Sequence, residues 1–336
     1  MQKYARAFRF AFLVTAAIAL LSILVIAWLW QDRAAVEELD WPVAMSPTRT
    51  DDEVAVTWLG VTTLLFDDGE TQILTDGFFS RPGLFEHLLI RPTQPDVATI
   101  NLALAEYRVN RLAAIVPLHS HFDHAMDAGA VANRSTAVIL GSESTANIAR
   151  GARVPVEQYQ ILANRESRQF GNFTITLIHS RHAPIGTGGK AIYPGAITEP
   201  LVPPVRLSAY KEGVTYSVLI EHPRGRVLVQ GSAGYRERSL RSREADVVIL
   251  GVGGLQRLGR DHAEKYWQEI VVQSNASRVF PVHFDDFTKP FGELRLFPKV
   301  VDDVLQTARW FDDFAASGDQ AIIVEQLPYG QPLILF

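Results

Sequence analysis

The chain has no cysteine anywhere in its 336 residues. That absence excludes disulfide frameworks, thiolate zinc sites, iron–sulfur clusters and a cysteine nucleophile in any compartment, so a metal here has to be held by His, Asp or Glu. Positive charge is also in short supply. The formal net charge is −5, and setting aside Lys3, Arg6 and Arg9, the only charged residues among the first nine, leaves −8 for the rest. Broad binding to a phosphate backbone is disfavoured by that balance, and no nucleic-acid partner is expected. The polar bias of a disordered chain is missing too: 47% of residues are hydrophobic and 21% charged, which predicts a sizeable core. No tandem repeat or low-complexity tract is evident.

What is present first is a long apolar run. Residues 10–30, FAFLVTAAIALLSILVIAWLW, contain no charge, and as a helix rising about 1.5 Å per residue they match a hydrocarbon core of roughly 30 Å. A cleaved signal peptide usually has a shorter apolar region, about 7 to 15 residues, that ends at a small-residue site. Here the run ends in Trp28, Leu29, Trp30, Gln31, Asp32 and Arg33 with no such site, which favours an uncleaved anchor with its tryptophans at the interface. Lys3, Arg6 and Arg9 lie before the span, so the positive-inside bias puts residues 1–9 in the cytoplasm and the rest of the chain in the periplasm or outside.

After the anchor, residues 31–53 read as a linker and residues 54–336 as one folded domain. Apolar patterns predict strands over residues 54–59, 62–66 and 71–75 around the Asp67-Asp68-Gly69 turn, then over 113–118 and 137–140. Ser142 caps a helix stopping at Gly151. Further strands follow over 173–178, 215–221, 226–230, 246–250 and 279–282, with helices over 261–275 and 298–314. Strands preceding helices, twice over, argue for a two-sheet core with helices outside. Residues 184–213 break the rhythm with five prolines and five glycines, and so long a loop is more often functional than filler.

The strongest chemical signal is His119-Ser120-His121-Phe122-Asp123-His124, directly after the apolar strand 113–118. Imidazoles and a carboxylate suit zinc or iron, and a strand end places them where a substrate can reach. Three of the nine histidines fall within these six positions, next to a run too apolar for a surface loop.

The spacing His119-x-His121-x-Asp123-His124, with Trp58-Leu59-Gly60 and Leu74-Thr75-Asp76-Gly77-Phe78-Phe79-Ser80 upstream, resembles the metallo-β-lactamase fold superfamily. The similarity runs over approximately residues 54–290 and is greatest to the branch of L-ascorbate-6-phosphate lactonase-like and N-acyl-phosphatidylethanolamine phospholipase D-like hydrolases. It implies a four-layer αββα sandwich, one or two metals at the sheet rim and a metal-bound hydroxide as nucleophile. Carried over by position, His119 and His121 bind a first metal with His182, whose rival is His179, and Asp123 and His124 bind a second with His283. Zinc is the expected metal, with iron or manganese open alternatives, and Asp123 is the candidate catalytic residue, orienting water or acting as general base.

One position departs from the family. Where an aspartate usually bridges the metals, this chain has Gly231-Ser232-Ala233-Gly234, and a neutral hydroxyl is a poor substitute for a carboxylate. Either one firm metal and a weaker second are bound, which is favoured, or Asp285, Asp286 or Asp261 folds in to replace the charge. Asp76 is a candidate to fix a ligand imidazole, and its alternative is a turn residue before Gly77. His262 is a candidate pocket residue, while His87 and His222 are expected to be structural or solvated. Gly251, Gly253 and Gly254 fit close packing better than a phosphate loop.

In the 184–213 loop, Arg206, Tyr210 and Lys211 are candidate anion or ester contacts, and Ile185, Tyr193, Leu201 and Val202 candidate acyl contacts. The expected activity is membrane-anchored hydrolysis of an ester, phosphodiester or lactone, with a lipid-like substrate reasonable by location. The alternatives are a binding or scaffold module with a degraded metal centre, and an iron-dependent redox enzyme of the same fold.

Overall fold

The structure is a computed structural model and describes residues 2–46, 53–88 and 91–336. Helix α1 (Gln2–Gln31) contains a 24-residue apolar stretch, Phe8–Gln31, that is long enough to cross a bilayer, and none of its most apolar 18-residue window is buried. Fourteen strands follow among the described residues: β1 (Ala55–Trp58), β2 (Leu64–Asp67), β3 (Gln72–Thr75), β4 (Leu112–Val116), β5 (Val138–Gly141), β6 (Tyr159–Ile161), β7 (Glu166–Phe170), β8 (Phe173–His179), β9 (Tyr216–His222), β10 (Gly225–Gln230), β11 (Val247–Gly251), β12 (Arg278–Val282), β13 (Ile323–Val324) and β14 (Pro332–Ile334). Between them lie α2 (Leu84–Leu88), α3 (Val97–Glu106), α4 (Phe122–Ala125), α5 (Ala128–Ala132), α6 (Glu143–Gly151), α7 (Leu255–Leu258), α8 (Arg260–Trp267) and α9 (Val304–Ser317).

The strands form two seven-stranded sheets, in the orders β14-β1-β2-β3-β4-β5-β6 and β13-β12-β11-β10-β9-β8-β7. Each joins an antiparallel block to a parallel one. Pairing is antiparallel from β14 to β3 and parallel from β3 to β6, and likewise antiparallel from β7 to β10 and parallel from β10 to β13. Val56, Phe66 and Ile73 from the first sheet meet Ile175, Val218 and Val229 from the second in one core. Leu65, Leu74 and Ile115 face the other way, onto Ile100 of α3 and Val131 of α5, and Trp267 of α8 stacks on Phe311 of α9 with ring centroids 5.0 Å apart. Period-2 alternation thus lets each sheet bury both faces, one on the other sheet and one on helices.

Three expectations about boundaries change. Residues 34–44 are not a free linker: Leu39, Trp41 and Ala44 are buried in the main core, and Val43 pairs with Gln326. Residues 47–52 of the expected linker lie outside the described residues, as do residues 89–90 of the stretch carrying His87. The helix expected over 298–314 begins only at Val304, because residues 296–303 form turns against the end of α1, with the Lys299 amide donating to the Asp32 carbonyl at 2.8 Å. The helix expected over 261–275 is α8 followed by a wider helical turn over residues 268–272.

Candidate metal centre

Parallel strands direct their C-terminal ends to one rim of a sheet, and the candidate ligands lie there. His119 and His121 follow β4, with Phe122 opening the short helix α4 that carries Asp123 and His124. His182 follows β8, and His283 follows β12. Two clusters result, His119–His121–His182 and Asp123–His124–His283, with the potential ligand atoms inside each within 4.8 Å of one another. In the first cluster the His119 Nε2 and His121 Nδ1 atoms are 2.9 Å apart, and the three rings sit 4.6 to 4.8 Å from each other. In the second, the Asp123 Oδ2 atom lies 3.5 Å from His124 Nε2 and 3.4 Å from His283 Nε2.

The residues fit a cation. His124 Nε2 is buried and has no hydrogen-bond partner among the described residues, nor have His119 Nδ1 and His121 Nε2, an arrangement that is costly unless something takes the lone pairs. Burial pushes His119 well below the usual imidazole value, and the histidines around it add to the shift. Burial, with His182 adding to it, pushes His121 down to about 4, and burial likewise pushes His182 to about 4. Neutral imidazole is the form that ligates. Burial alone would raise the Asp123 carboxyl, but His124 and His283 outweigh it and hold it well below the usual range, so it is ionised. The His182 Nδ1 atom is 2.8 Å from the Ala183 carbonyl, which assigns the proton to Nδ1 and leaves Nε2 for a metal.

Beneath the second cluster, Asp76 accepts from His124 Nδ1 at 2.7 Å and from the Leu118 amide at 2.9 Å, and takes the Thr62 hydroxyl as well. Asp76 is thus bonded to the ring of a candidate ligand and also occupies the turn before Gly77. Burial would lower His124, but Asp76 and Asp123 leave its pKa raised. Both Asp76 and His283 adopt left-handed backbone, φ 52° and 61°, a conformation that strains non-glycine residues and clusters at functional sites.

Glycines let the backbone close around these ligands. A Cβ on Gly234 would stand 2.4 Å from the His182 carbonyl, and one on Gly253 2.8 Å from that of His283. Close packing is thus what the glycines after β10 and β11 supply, rather than a phosphate loop.

Ser232 lines a recess together with His121, Asp123, His182 and His283, and its hydroxyl accepts from the Ala183 amide at 3.0 Å. The expected replacements for the missing carboxylate do not arrive. Asp285 is held by Arg81 at 2.8 Å and by the Val61 amide at 2.7 Å. Asp286 is held by Arg33 at 2.5 Å, and Asp261 is exposed on the first turn of α8.

Two recesses meet at His182. One, about 190 Å³, is walled by Phe122, Ile185, Ile192, Tyr193, Phe287, Phe297 and Val301 beside Asp123 and His283. The other, about 740 Å³, mixes charged and apolar lining and includes Arg181, Glu212, Tyr235 and His262. His262 does line a recess, its Nε2 atom 2.9 Å from the Ala233 carbonyl. Arg206 and Lys211 border neither, and Arg206 is exposed. Tyr210 is buried among Phe78, Met126 and Ile148, while Leu201 donates to the Asn147 carbonyl of α6. The 184–213 loop divides: its first ten residues supply Ile185 and Tyr193 to the site, Leu201 and Tyr210 pack on α6 and around Phe78 and Met126, and Glu212 returns to the larger recess, its carbonyl taking the Ser120 amide at 2.9 Å. His179 donates no ligand and packs on Tyr216, His222 packs on Phe173 beside Asp68, and His87 stacks on Phe122.

Sequence reasoning missed Thr62, Arg81, Asp127 and Asp302. Asp127 takes the Phe79 and Ser80 amides at 2.8 and 2.7 Å and the Ser80 hydroxyl at 2.6 Å. Its place one turn after Asp123 was the available signal. Asp302 accepts from the Gly254 amide at 2.8 Å, borders the apolar recess and is pushed up to about 6 by burial. Nothing local in the sequence marks it.

Residues 55–283 match the Beta-lactamase superfamily domain. The chain belongs to that superfamily. Its metallo-β-lactamase fold, with two sheets and paired His/Asp clusters, is similar to a metallo hydrolase, Igni18, from Ignicoccus hospitalis (14% identity over 84% of this chain and 98% of that one, TM-score 0.50). It is similar too to a possible metal-dependent hydrolase from Veillonella parvula (14% identity, 84% and 100% covered, TM-score 0.51) and to the CmlA β-hydroxylase E377D mutant (14% identity, 86% and 55% covered, TM-score 0.50). At such identities the likeness is one of fold. No curated protein matches the sequence. The superfamily match does not single out a branch.

Proposed function

We propose that the protein is a membrane-anchored, zinc-dependent hydrolase of ester, phosphodiester or lactone bonds. The observation that carries this reading is the pair of three-ligand clusters within 4.8 Å, opening into a recess beside them. Zinc bound there supplies Lewis acidity and lowers the pKa of a bound water to about 7.

This chain's own residues do the rest. His119, His121 and His182 hold the firm metal, and His124 and His283 with Asp123 form a weaker second site. With the weaker site empty, the ionised Asp123 orients water by accepting a hydrogen bond from it. Asp76 fixes the His124 tautomer, and the apolar walls exclude bulk water from the reacting bond. A firm and a weak site are expected because Ser232, Asp285 and Asp286 leave no bridging carboxylate among the described residues. The α1 helix serves as anchor, with residues 1–9 cytoplasmic and the domain periplasmic or extracellular.

The test is metal content and hydrolysis of p-nitrophenyl esters and bis-p-nitrophenyl phosphate by the full chain, purified without added metal, beside His121→Ala. About one tight zinc per chain, with turnover lost in the variant, is the expected result. No uptake even from excess zinc would leave a binding module instead.

A further inference from the structure

The wall of the apolar recess is tied to the end of α1. Arg33, two residues beyond the helix, donates to Asp286 at 2.5 Å and to the Leu296 carbonyl at 2.9 Å. Asp32 accepts from the Lys299 amide at 2.8 Å, with the Lys299 ammonium 3.7 Å from its carboxylate. Asp286 in turn closes the loop, its amide donating to the Arg295 carbonyl at 2.6 Å and its carboxylate taking the Thr288 hydroxyl at 2.6 Å. The residues alternating with these contacts, Phe287, Phe297 and Val301, are the recess wall. Phe287 and Phe297 stack with ring centroids 5.1 Å apart, and Phe287 lies 5.9 Å from the His283 ring.

Two consequences follow. If α1 crosses a bilayer up to Gln31, the recess mouth lies at the membrane surface, because its wall is bonded to the next two residues. Val300, 57% exposed between Lys299 and Val301, and Ile192, a recess-lining residue that is 41% exposed, then face lipid rather than water. The size of the recess also matters. About 190 Å³ falls below the roughly 300–1,000 Å³ of sites that bury a whole drug-sized ligand, so it holds one apolar segment while the rest of the ligand stays outside.

We propose that this recess is loaded from the bilayer face with an acyl segment of a membrane amphiphile, and that Arg33 is the positioning residue that keeps its wall open to that face. The proposal rests on the anchor assigned under Proposed function and does not require hydrolysis, so the two fail separately.

The experiment places the full chain in phosphatidylcholine nanodiscs containing a phosphatidylcholine with a diazirine in one acyl chain, and maps photo-adducts by mass spectrometry. Adducts are expected on Ile192, Phe287, Phe297 or Val301 as well as on α1. Arg33→Ala should lower the ratio of recess to helix adducts about fivefold with metal content unchanged, although stranding the buried Asp286 carboxylate lowers the melting temperature, and Arg33→Lys should restore most of both. Adducts confined to residues 8–31, or an unchanged ratio in Arg33→Ala, would overturn the proposal. Should Arg33→Ala fail to fold, Val301→Trp decides: it fills the recess without touching the clamp, and persistence of the Phe287 and Phe297 adducts would show that they arise outside it. A chain that labels in the recess but binds no metal would refute the hydrolase and leave this inference standing.

Discussion

The two ligand clusters share one rim but are supported in opposite ways. His119, His121 and His182 are three imidazoles kept neutral by burial, with no carboxylate among them. Asp123, His124 and His283 contain an ionised carboxylate, and Asp76 stands behind His124. One cluster offers a cation lone pairs and the other offers it negative charge. An intrinsic charge at one side only, with Ser232 where a shared carboxylate belongs, makes the pair unequal, and each prediction below alters one side.

The largest contrast is between two histidines three residues apart. His182→Ala removes a third of the imidazole-only cluster, which has no charge to fall back on, and complete loss of firmly bound zinc and of turnover is expected. His179→Ala, removing a ring that packs on Tyr216 outside the site, should retain both. Metal analysis of the two variants side by side checks this, and equal loss would reassign the ligand.

Next comes the buried acid under the carboxylate-bearing side. Burial pushes Asp127 up to about 6 from 3.8, against the pull of Ser80 and Phe79. A folded-state pKa above the unfolded one means the fold retains the proton longer. The contribution is therefore complete below about pH 3.8 and is lost as pH rises towards 6, by roughly 3 kcal/mol at 1.36 kcal/mol per unit. Asp127→Asn, which cannot ionise, should lose less stability than the parent between pH 4 and 7 in urea unfolding. Parallel curves for the two would refute the assignment.

Asp76→Asn tests the support of His124 alone. Removing the charge behind a ligand imidazole typically costs 10- to 100-fold in metal affinity or activity. The loss is expected in the weaker of two zinc equivalents, with the tight one nearly unchanged. Equal weakening of both would mean that Asp76 holds the whole rim, by way of the Leu118 amide just before His119.

How much of this was legible in the sequence depends on the range of the interaction. The 119–124 cluster is local, and His182 and His283 were assigned through the resemblance to the superfamily, which implies later ligands after strands. Asp76 stood out as a candidate to fix an imidazole, but its place before Gly77 suited a plain turn residue almost as well. By contrast, Arg33 and Asp286 are 253 residues apart and Arg81 and Asp285 are 204 apart, and no periodicity announces a pairing at that distance. The aspartates at 285 and 286 therefore looked available when each already had an arginine. The 184–213 loop was recognisable by its prolines and glycines, but its direction was not. Whether Tyr193 or Tyr210 turns inward is decided by packing on α6 and around Phe78 and Met126, which composition does not encode.

The finest test converts one side of the comparison into the other. Ser232 already lies on the recess wall, and its hydroxyl accepts from the Ala183 amide, a contact that an aspartate oxygen can also make. Ser232→Asp places a charge where both cations can share it. One unit charge about 4 Å from another is worth roughly 1–4 kcal/mol between water-like and partly buried surroundings, so the weaker zinc should tighten about tenfold or more. Isothermal titration of the metal-stripped chain would show two sites drawn together in affinity, where the parent shows them apart. If the variant leaves the gap as wide as before, the inequality does not come from the missing carboxylate, and the imidazole-only cluster owes its firmness to its own geometry.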